Sequence, residues 1–190
     1  MAPLVLASAS PQRRAILNQL GVAFEVIVSG AEELEHGPPE EVALENAYRK
    51  AAAVAGGLPA PSHDATVVIG TDTVVALGPR IYGKPADTAE AERTLRALAG
   101  RTHRVISGVC VIRGDVVRTT AAVTDVTFAP LQEAILRWYL DSGEWRDRAG
   151  GYAIQGRGAA LITAITGDYT NVVGLPVSAL LSLVPDLVWS

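Results

Sequence analysis

Residues 103–128 constrain the fold more than any other stretch. His103 to Ile112 and Val116 to Phe128 are two long β-branched runs joined at Arg113-Gly114-Asp115. That turn signal between such runs predicts an antiparallel hairpin. Upstream, Pro3 to Ala7 and Phe24 to Val28 read as short strands. Val67 to Leu77 reads as a long apolar strand that turns at Gly78-Pro79 into a return strand at Ile81-Tyr82. Helices are expected over Pro11 to Leu20 (closed by Gly21), Glu40 to Ala55, Ala86 to Leu98, Leu131 to Leu140 and Pro176 to Val184. Gly56 to His63 is an irregular connection, Gly150 to Gly158 is glycine-rich, and Ala159 to Ile165 reads as a last strand. The expectation is an α/β fold with a mixed, partly antiparallel sheet and two lobes around a groove.

With 190 residues, 49% apolar and 19% charged, the chain can bury a sizeable core and is not disordered. The net charge of −4 argues against tracking along nucleic acid, which rests on neutralising many phosphates. An anionic ligand would need a local cluster of basic groups. The one cysteine, Cys110, has no internal partner and points to a reducing cytosol. Met1 to Ala7 followed by Ser8-Ala9-Ser10 imitates a signal peptide, but no positive residue precedes the run and it is too short. No stretch approaches the ~18 apolar residues of a membrane span. A soluble, cytoplasmic protein is expected.

Two places carry chemistry. Ser8-Ala9-Ser10-Pro11-Gln12-Arg13-Arg14 is a strand-loop-helix junction with Ser10 as N-cap and Pro11 opening the helix. Cations in a first helical turn are unfavourable unless an anion joins them. Free N–H groups, hydroxyls and guanidinium groups together make a phosphate cradle, although a solvated arginine pair fits the segment equally well. The second place is Gly70-Thr71-Asp72-Thr73, where Asp72 puts a carboxylate inside a strand that reads as buried. Such a group needs a cation or a raised pKa. Gly70 shares its face with Asp72 and is expected to leave room beside it. If the chain turns at Gly78-Pro79, Lys84 lies within about one register step of Asp72, as ion-pair partner, phosphate ligand or both. Of sixteen Lys and Arg only Lys50 and Lys84 are lysines, which hints that those two places need a compact ammonium.

Other signals are weaker. Gly78 to Lys84 imitates the start of a P-loop, but Pro85 replaces the Ser/Thr that binds Mg²⁺ and the intervening residues are bulky. Gly156-Arg157-Gly158 lacks the third glycine of a dinucleotide motif. Glu32-Glu33 offers a metal-ligating carboxylate or a solvated loop charge. His36, His63 and His103 lack zinc-ligand spacing, Cys110 reads as inert core, and Ser178 has no nucleophile-elbow context.

Taken together, these segments resemble the Maf family of nucleoside triphosphate pyrophosphatases, historically linked with septum formation. The resemblance runs through LASASPQRR, Glu33, Arg49-Lys50-Ala51, GTDTVV, GKP, TDVTF, AGGYAIQGRGA and NVVGLP, nearly the whole chain. It implies a single domain over residues 1–190, with an elongated mixed sheet, flanking helices and two lobes around a central cleft, similar to inosine triphosphatases. It also implies Asp72 as proton acceptor, with Ser8, Arg13, Glu33, Lys50 and Lys84 lining the triphosphate and metal site. Asp72 and Glu33 are then the carboxylates for Mg²⁺ or Mn²⁺.

The IQG and NVVGLP segments are similar to the branch acting on dTTP and UTP rather than on 7-methyl-GTP. In that branch Thr73, Gln155 and the position of Gln12 are tied to base selection. Where the family usually reads Ser-Pro-Arg-Arg, this chain has Gln12 in place of the first arginine. The cradle survives through Arg13, while base preference is left more open. The expected partner is a nucleoside triphosphate, with no nucleic-acid polymer and no membrane, and a homodimer as an open option. The rival reading is a nucleotide-binding regulator of cell division with little or no catalysis. A carboxylate buried beside a lysine favours catalysis, since pure anion binding has no use for another negative charge unless a metal is present.

Overall fold

The computed structural model of the chain describes residues 2–59, 62 and 64–188. One seven-stranded sheet runs through it, built from β1 (Leu4–Leu6), β2 (Glu25–Val26), β3 (Val67–Leu77), β4 (Arg80–Tyr82), β5 (Thr102–Arg113), β6 (Val116–Phe128) and β7 (Ile162–Thr166). The order is β2-β1-β3-β5-β6-β7, with β4 paired to β3 off this path. β1 pairs parallel with both β2 and β3, and every other pairing is antiparallel. The expected hairpin is β5–β6, in register from Thr102↔Thr127 to Arg113↔Val116. The helices are α1 (Pro11–Gln19), α2 (Pro39–Ala55), α3 (Thr88–Leu98), α4 (Glu133–Ser142), α5 (Tyr169–Val173) and α6 (Val177–Leu183). No helix among the described residues is long and apolar enough to cross a membrane.

The period of two along β3 sorts its residues between two layers. Val68, Val74 and Ala76 pack under α2 with Ala43, Ala47 and Ala51. Ile69 packs on the other face with Ile16 and Leu17 of α1 and Leu180 of α6, while Val75 joins Leu95, Tyr139 and Tyr152. On both faces the apolar cover stops in the middle of β3. There Gly70, Thr71, Asp72 and Thr73 replace it, opposite Cys110, Val109, Gly108 and Ser107 of β5. The gap between apolar clusters is where a groove can form.

Gly70 works differently from expectation. Its missing side chain does not leave open room beside Asp72, because α2 fills it. A Cβ at Gly70 would collide with the Ala47 carbonyl, and one at Gly108 with the Ala43 carbonyl. The two glycines let the backbone of α2 lie directly on the sheet.

Two readings change at the C-terminal end. Ala159 to Leu161 is not strand: Arg157–Leu161 forms a 3₁₀ turn, and the strand runs Ile162–Thr166. The short α5 was not anticipated. It is capped by Asp168, whose carboxylate accepts from Thr170 N at 2.7 Å. Within the irregular Gly56–His63 connection, residues 60, 61 and 63 lie outside the described part of the chain, as does residue 1 of the N-terminal apolar run.

Candidate active site

Asp72 reaches the α2 face of β3 and is 7% exposed, as is Lys50. Lys50 Nζ donates to Asp72 Oδ1 at 2.8 Å, and Asn46 Nδ2 donates to Asp72 Oδ2 at 3.0 Å. Asn46 and Lys50 are one turn apart on α2, so the close approach allowed by Gly70 and Gly108 delivers both to one carboxylate. Lys50 Nζ also meets Glu33 Oε1 at 2.9 Å, so one ammonium bridges two carboxylates. The loop carrying Glu33 is tied to α2 by Asn46, which accepts from Leu34 N at 2.6 Å and donates to Leu34 O at 3.0 Å.

The partner expected for Asp72 was Lys84, and the structure gives that place to Lys50. The β3–β4 ladder pairs Val75 with Tyr82 and goes no further, so Lys84 is past the end of β4 and exposed. Burial alone would push the Asp72 carboxyl up. The Lys50 charge and hydrogen bond outweigh it with help from Arg13 and Asn46, and the net result lies below the usual value.

On the other face, Arg13 is buried. Ser10 is the N-cap residue, but its Oγ donates to Gln12 Oε1 at 3.0 Å instead of capping the helix. Arg13 donates through Nη1 to Ser8 Oγ at 2.9 Å, through Nη2 to Thr73 Oγ1 at 3.2 Å, and through Nε to Gly174 O at 2.9 Å. Burial lowers its pKa, against the attraction of Asp72 and Glu33. Arg14 is exposed and takes no part. Gly174 belongs to the turn after α5, and Asn171 anchors that helix by donating to Val105 O at 3.0 Å and Thr124 Oγ1 at 3.0 Å.

All nine residues singled out from the sequence line one cleft of about 1880 Å³: Ser8, Gln12, Arg13, Glu33, Lys50, Asp72, Thr73, Lys84 and Gln155. Gln155 is exposed on the far wall, in the segment after Tyr152. That wall is set by packing. His103 Nε2 and the Tyr152 hydroxyl are 2.8 Å apart, and Ala153 N donates to the Tyr139 hydroxyl at 3.1 Å. Glu144 accepts from Arg157 N at 2.6 Å, just past Gln155.

Sequence reasoning missed Asn46 and Glu144, weighed His103 only as a metal ligand, and met Tyr152 only within the AGGYAIQGRGA segment. Only Asn46 left a trace, as a polar residue four before Lys50 on the buried stripe of α2. Cys110 is fully buried, and burial pushes its thiol up to about 12, in keeping with an inert role. A carboxylate held ionised beside phosphate-type donors suits activation of water next to an anion.

Comparison with known proteins meets this geometry from outside. A family model described as Maf-like protein matches residues 3–187. A relative from Deinococcus radiodurans named dTTP/UTP pyrophosphatase is 49% identical, covering 95% of this chain and 90% of its own. One of the same name from Symbiobacterium thermophilum is 46% identical over 93% and 89% of the two chains. Another from Pyrococcus furiosus is 40% identical over 97% and 95%. With a family match across almost its whole length and relatives this similar, the chain belongs to the Maf family.

Proposed function

We propose that this protein hydrolyses nucleoside triphosphates, dTTP and UTP first, to the monophosphate and pyrophosphate. The observation that carries this reading is the Asp72 carboxylate, kept ionised inside the cleft by Lys50 and Asn46. The curated relatives named dTTP/UTP pyrophosphatase support the choice of substrate. Water attacks the α-phosphorus, the bond to the bridging oxygen breaks, and pyrophosphate leaves with that electron pair. Asp72 takes the proton from the water. Arg13, with Ser8 beside it, Lys50 and Lys84 bind phosphate oxygens and stabilise the charge that builds on the leaving group. As Lys50 turns toward the triphosphate its hold on Asp72 loosens, which makes the carboxylate a stronger base when substrate is present.

The protein alone does not neutralise a triphosphate. Six Lys and Arg side chains line the cleft against seven carboxylates, so its own charge is balanced before substrate enters. A divalent cation fits this donor set if it arrives with the phosphates. Mg²⁺ typically uses one or two carboxylates plus phosphate oxygens and water. Asp72 and Glu33, joined through Lys50, are that pair. Among the described residues no group of three potential ligands could hold a metal alone. When bound, Mg²⁺ or Mn²⁺ offsets phosphate charge and polarises the reacting group.

Gln155, Thr73 and Gln12 select the base, in a single domain whose two lobes share the sheet, working in the cytoplasm. The test is a product assay over a nucleotide panel with Mg²⁺, detecting pyrophosphate separately from orthophosphate. Pyrophosphate from dTTP and UTP is expected. Orthophosphate as the only direct product would refute the reaction, and a clear preference for 7-methyl-GTP would refute the base assignment.

A further inference from the structure

Arg148 stands on the far wall of the cleft, and nothing in the mechanism above uses it. Its side chain is half-buried, and Nε is shut off from solvent without a hydrogen-bond acceptor. No carboxylate pairs with it among the described residues. Its terminal Nη groups are not shut off in this way and make no hydrogen bond among the described residues, so they are the part of the guanidinium that a ligand in the cleft can reach.

The backbone that carries Arg148 is held firmly. Asp147 takes the left-handed conformation at φ 59°, rare for a residue other than glycine, and Gly150 and Gly151 follow at 70° and 68°. Gly150 N donates to Gly83 O at 3.0 Å. A Cβ on Gly150 would meet the Val75 side chain at 2.9 Å, and one on Gly151 would meet Pro85 at 3.1 Å. The turn is thereby fixed against β3 and against both neighbours of Lys84. A guanidinium on a turn so braced, with its Nη groups unspent among the described residues, is placed to receive a ligand.

Charge decides which part of the substrate it receives. Lys50 is already shared by Asp72 and Glu33, and three of the five N–H donors of Arg13 are spent on Ser8, Thr73 and Gly174, so the two together do not cover a triphosphate. Arg80 and Arg146 lie over the rings of Tyr82 and Trp145. Among the described residues, Lys84 and Arg148 remain as cleft cations with no ion pair or ring contact. A pyrimidine base is neutral, whereas the terminal phosphates carry most of the substrate charge. Arginine's planar fork matches two phosphate oxygens at once. We propose that Arg148, acting with Lys84, is a binding residue for the β- and γ-phosphates and for pyrophosphate as it leaves. This rests on the pyrophosphatase reading.

The experiment compares wild type, Arg148→Gln and Arg148→Lys. Three ligands are titrated: pyrophosphate, dTMP and the non-hydrolysable α,β-methylene analogue of dTTP. Arg148→Gln is expected to weaken pyrophosphate and the analogue about tenfold while dTMP stays within about twofold. Arg148→Lys should restore part of the loss. The melting temperature of the free protein should not fall, because Arg148 has no ion pair or hydrogen bond among the described residues to lose, while the shift induced by the analogue shrinks. Unchanged pyrophosphate affinity, or dTMP weakened as much as pyrophosphate, overturns the assignment. So does a fall in free-protein stability that accounts for the losses. Failure of the wild type to release pyrophosphate from any nucleotide refutes the parent reading instead.

Discussion

The cleft wall formed by α1, α2 and β3 has its charges paired before any ligand arrives, whereas the wall formed by residues 139–157 is aromatic beneath and unpaired above. On the first wall Lys50 and Asn46 hold Asp72 at 2.8 and 3.0 Å, while Arg13 donates to Ser8 and Gly174 at 2.9 Å and to Thr73 at 3.2 Å. On the second, His103, Phe128 and Tyr152 meet edge to face with ring centroids 4.9–5.4 Å apart. Among the described residues, Gln155 and Arg148 make no side-chain hydrogen bond. The difference separates two tasks. A group that must be ionised and aimed at the moment of reaction is organised in advance by protein dipoles and charges. Groups that recognise a ligand keep their donors and acceptors open.

The largest effect should come from breaking the paired wall at its hinge. Lys50→Met leaves Asp72 buried with only Asn46 and removes the charge that joins it to Glu33. Loss of one partner from a buried ion pair is worth about 3 kcal/mol or more, a fall in melting temperature of roughly 6–12 °C for a chain of this size. The Asp72 carboxyl then rises, because burial is no longer opposed by its main partner. The acid limb of the rate profile should move to higher pH in whatever activity remains. A melting curve and a pH–rate profile check both, and an unmoved acid limb would show that Asp72 does not titrate in the rate.

Asp72→Asn removes the proposed base and keeps the shape. kcat should drop by ~10²-fold or more with KM changed little. Folding should survive, since Lys50 still has Glu33 at 2.9 Å. Pyrophosphate release read beside a thermal melt separates the two. Near-normal turnover would transfer the role of base to Glu33.

The aromatic wall should answer to pH in a different window. His103 is 1% exposed, and burial lowers its pKa from 6.5 to about 4. The folded protein keeps it neutral while the unfolded chain protonates near 6.5, so stability is full above that value and falls as pH drops toward 4. Between pH 7 and 5 the loss is about 2 kcal/mol, at ~1.36 kcal/mol per unit. The Asp72 contribution has the same sign but begins only below about 3.9, the unfolded carboxylate value. His103→Gln should flatten the decline of melting temperature between pH 6.5 and 5. An unchanged slope would mean that another group carries it.

How legible each wall was in the sequence follows from how local its interactions are. The β5–β6 hairpin and the strand interrupted by Asp72 show in the sequence because alternation and turn residues are short-range signals. That Asp72 needs a cation also shows. Which cation does not, because Lys50 comes from a helix 22 residues earlier and arrives by helix-on-sheet packing. The hairpin register pointed to Lys84, and the ladder ends two residues before it. Gly70 was visible as a gap, but only the docked α2 shows that backbone fills it. α5, five residues with two valines and a threonine, has too little helical period to be read. The cleft residues from Ser8 to Lys84, by contrast, stood out locally one by one, Gln155 and the separate roles came from the family resemblance, and the fold gathers them from separate elements.

The smallest expected effects sharpen the open wall. A carboxamide places an acceptor and a donor side by side and can meet N3–H and O4 of uracil or thymine. Cytosine shows the reverse pattern, which a flipped amide would serve equally well. The Gln155 side chain makes no hydrogen bond that would fix its orientation, although Glu144 holds the next backbone at Arg157 N. Gln155→Ala should therefore compress the kcat/KM ranking of dTTP, UTP and CTP by about tenfold at most, with phosphate binding nearly intact. Gln12 accepts from Ser10 Oγ at 3.0 Å and is only partly buried, so it adds no charge to the phosphate cradle proposed around Arg13. Gln12→Arg should sharpen the ranking by a few-fold, roughly the worth of one charge-assisted hydrogen bond in a solvated position. Steady-state kinetics on dTTP, UTP, CTP and 7-methyl-GTP read both changes. If Gln12→Arg leaves the ranking flat while Gln155→Ala compresses it, selection resides in the open wall alone.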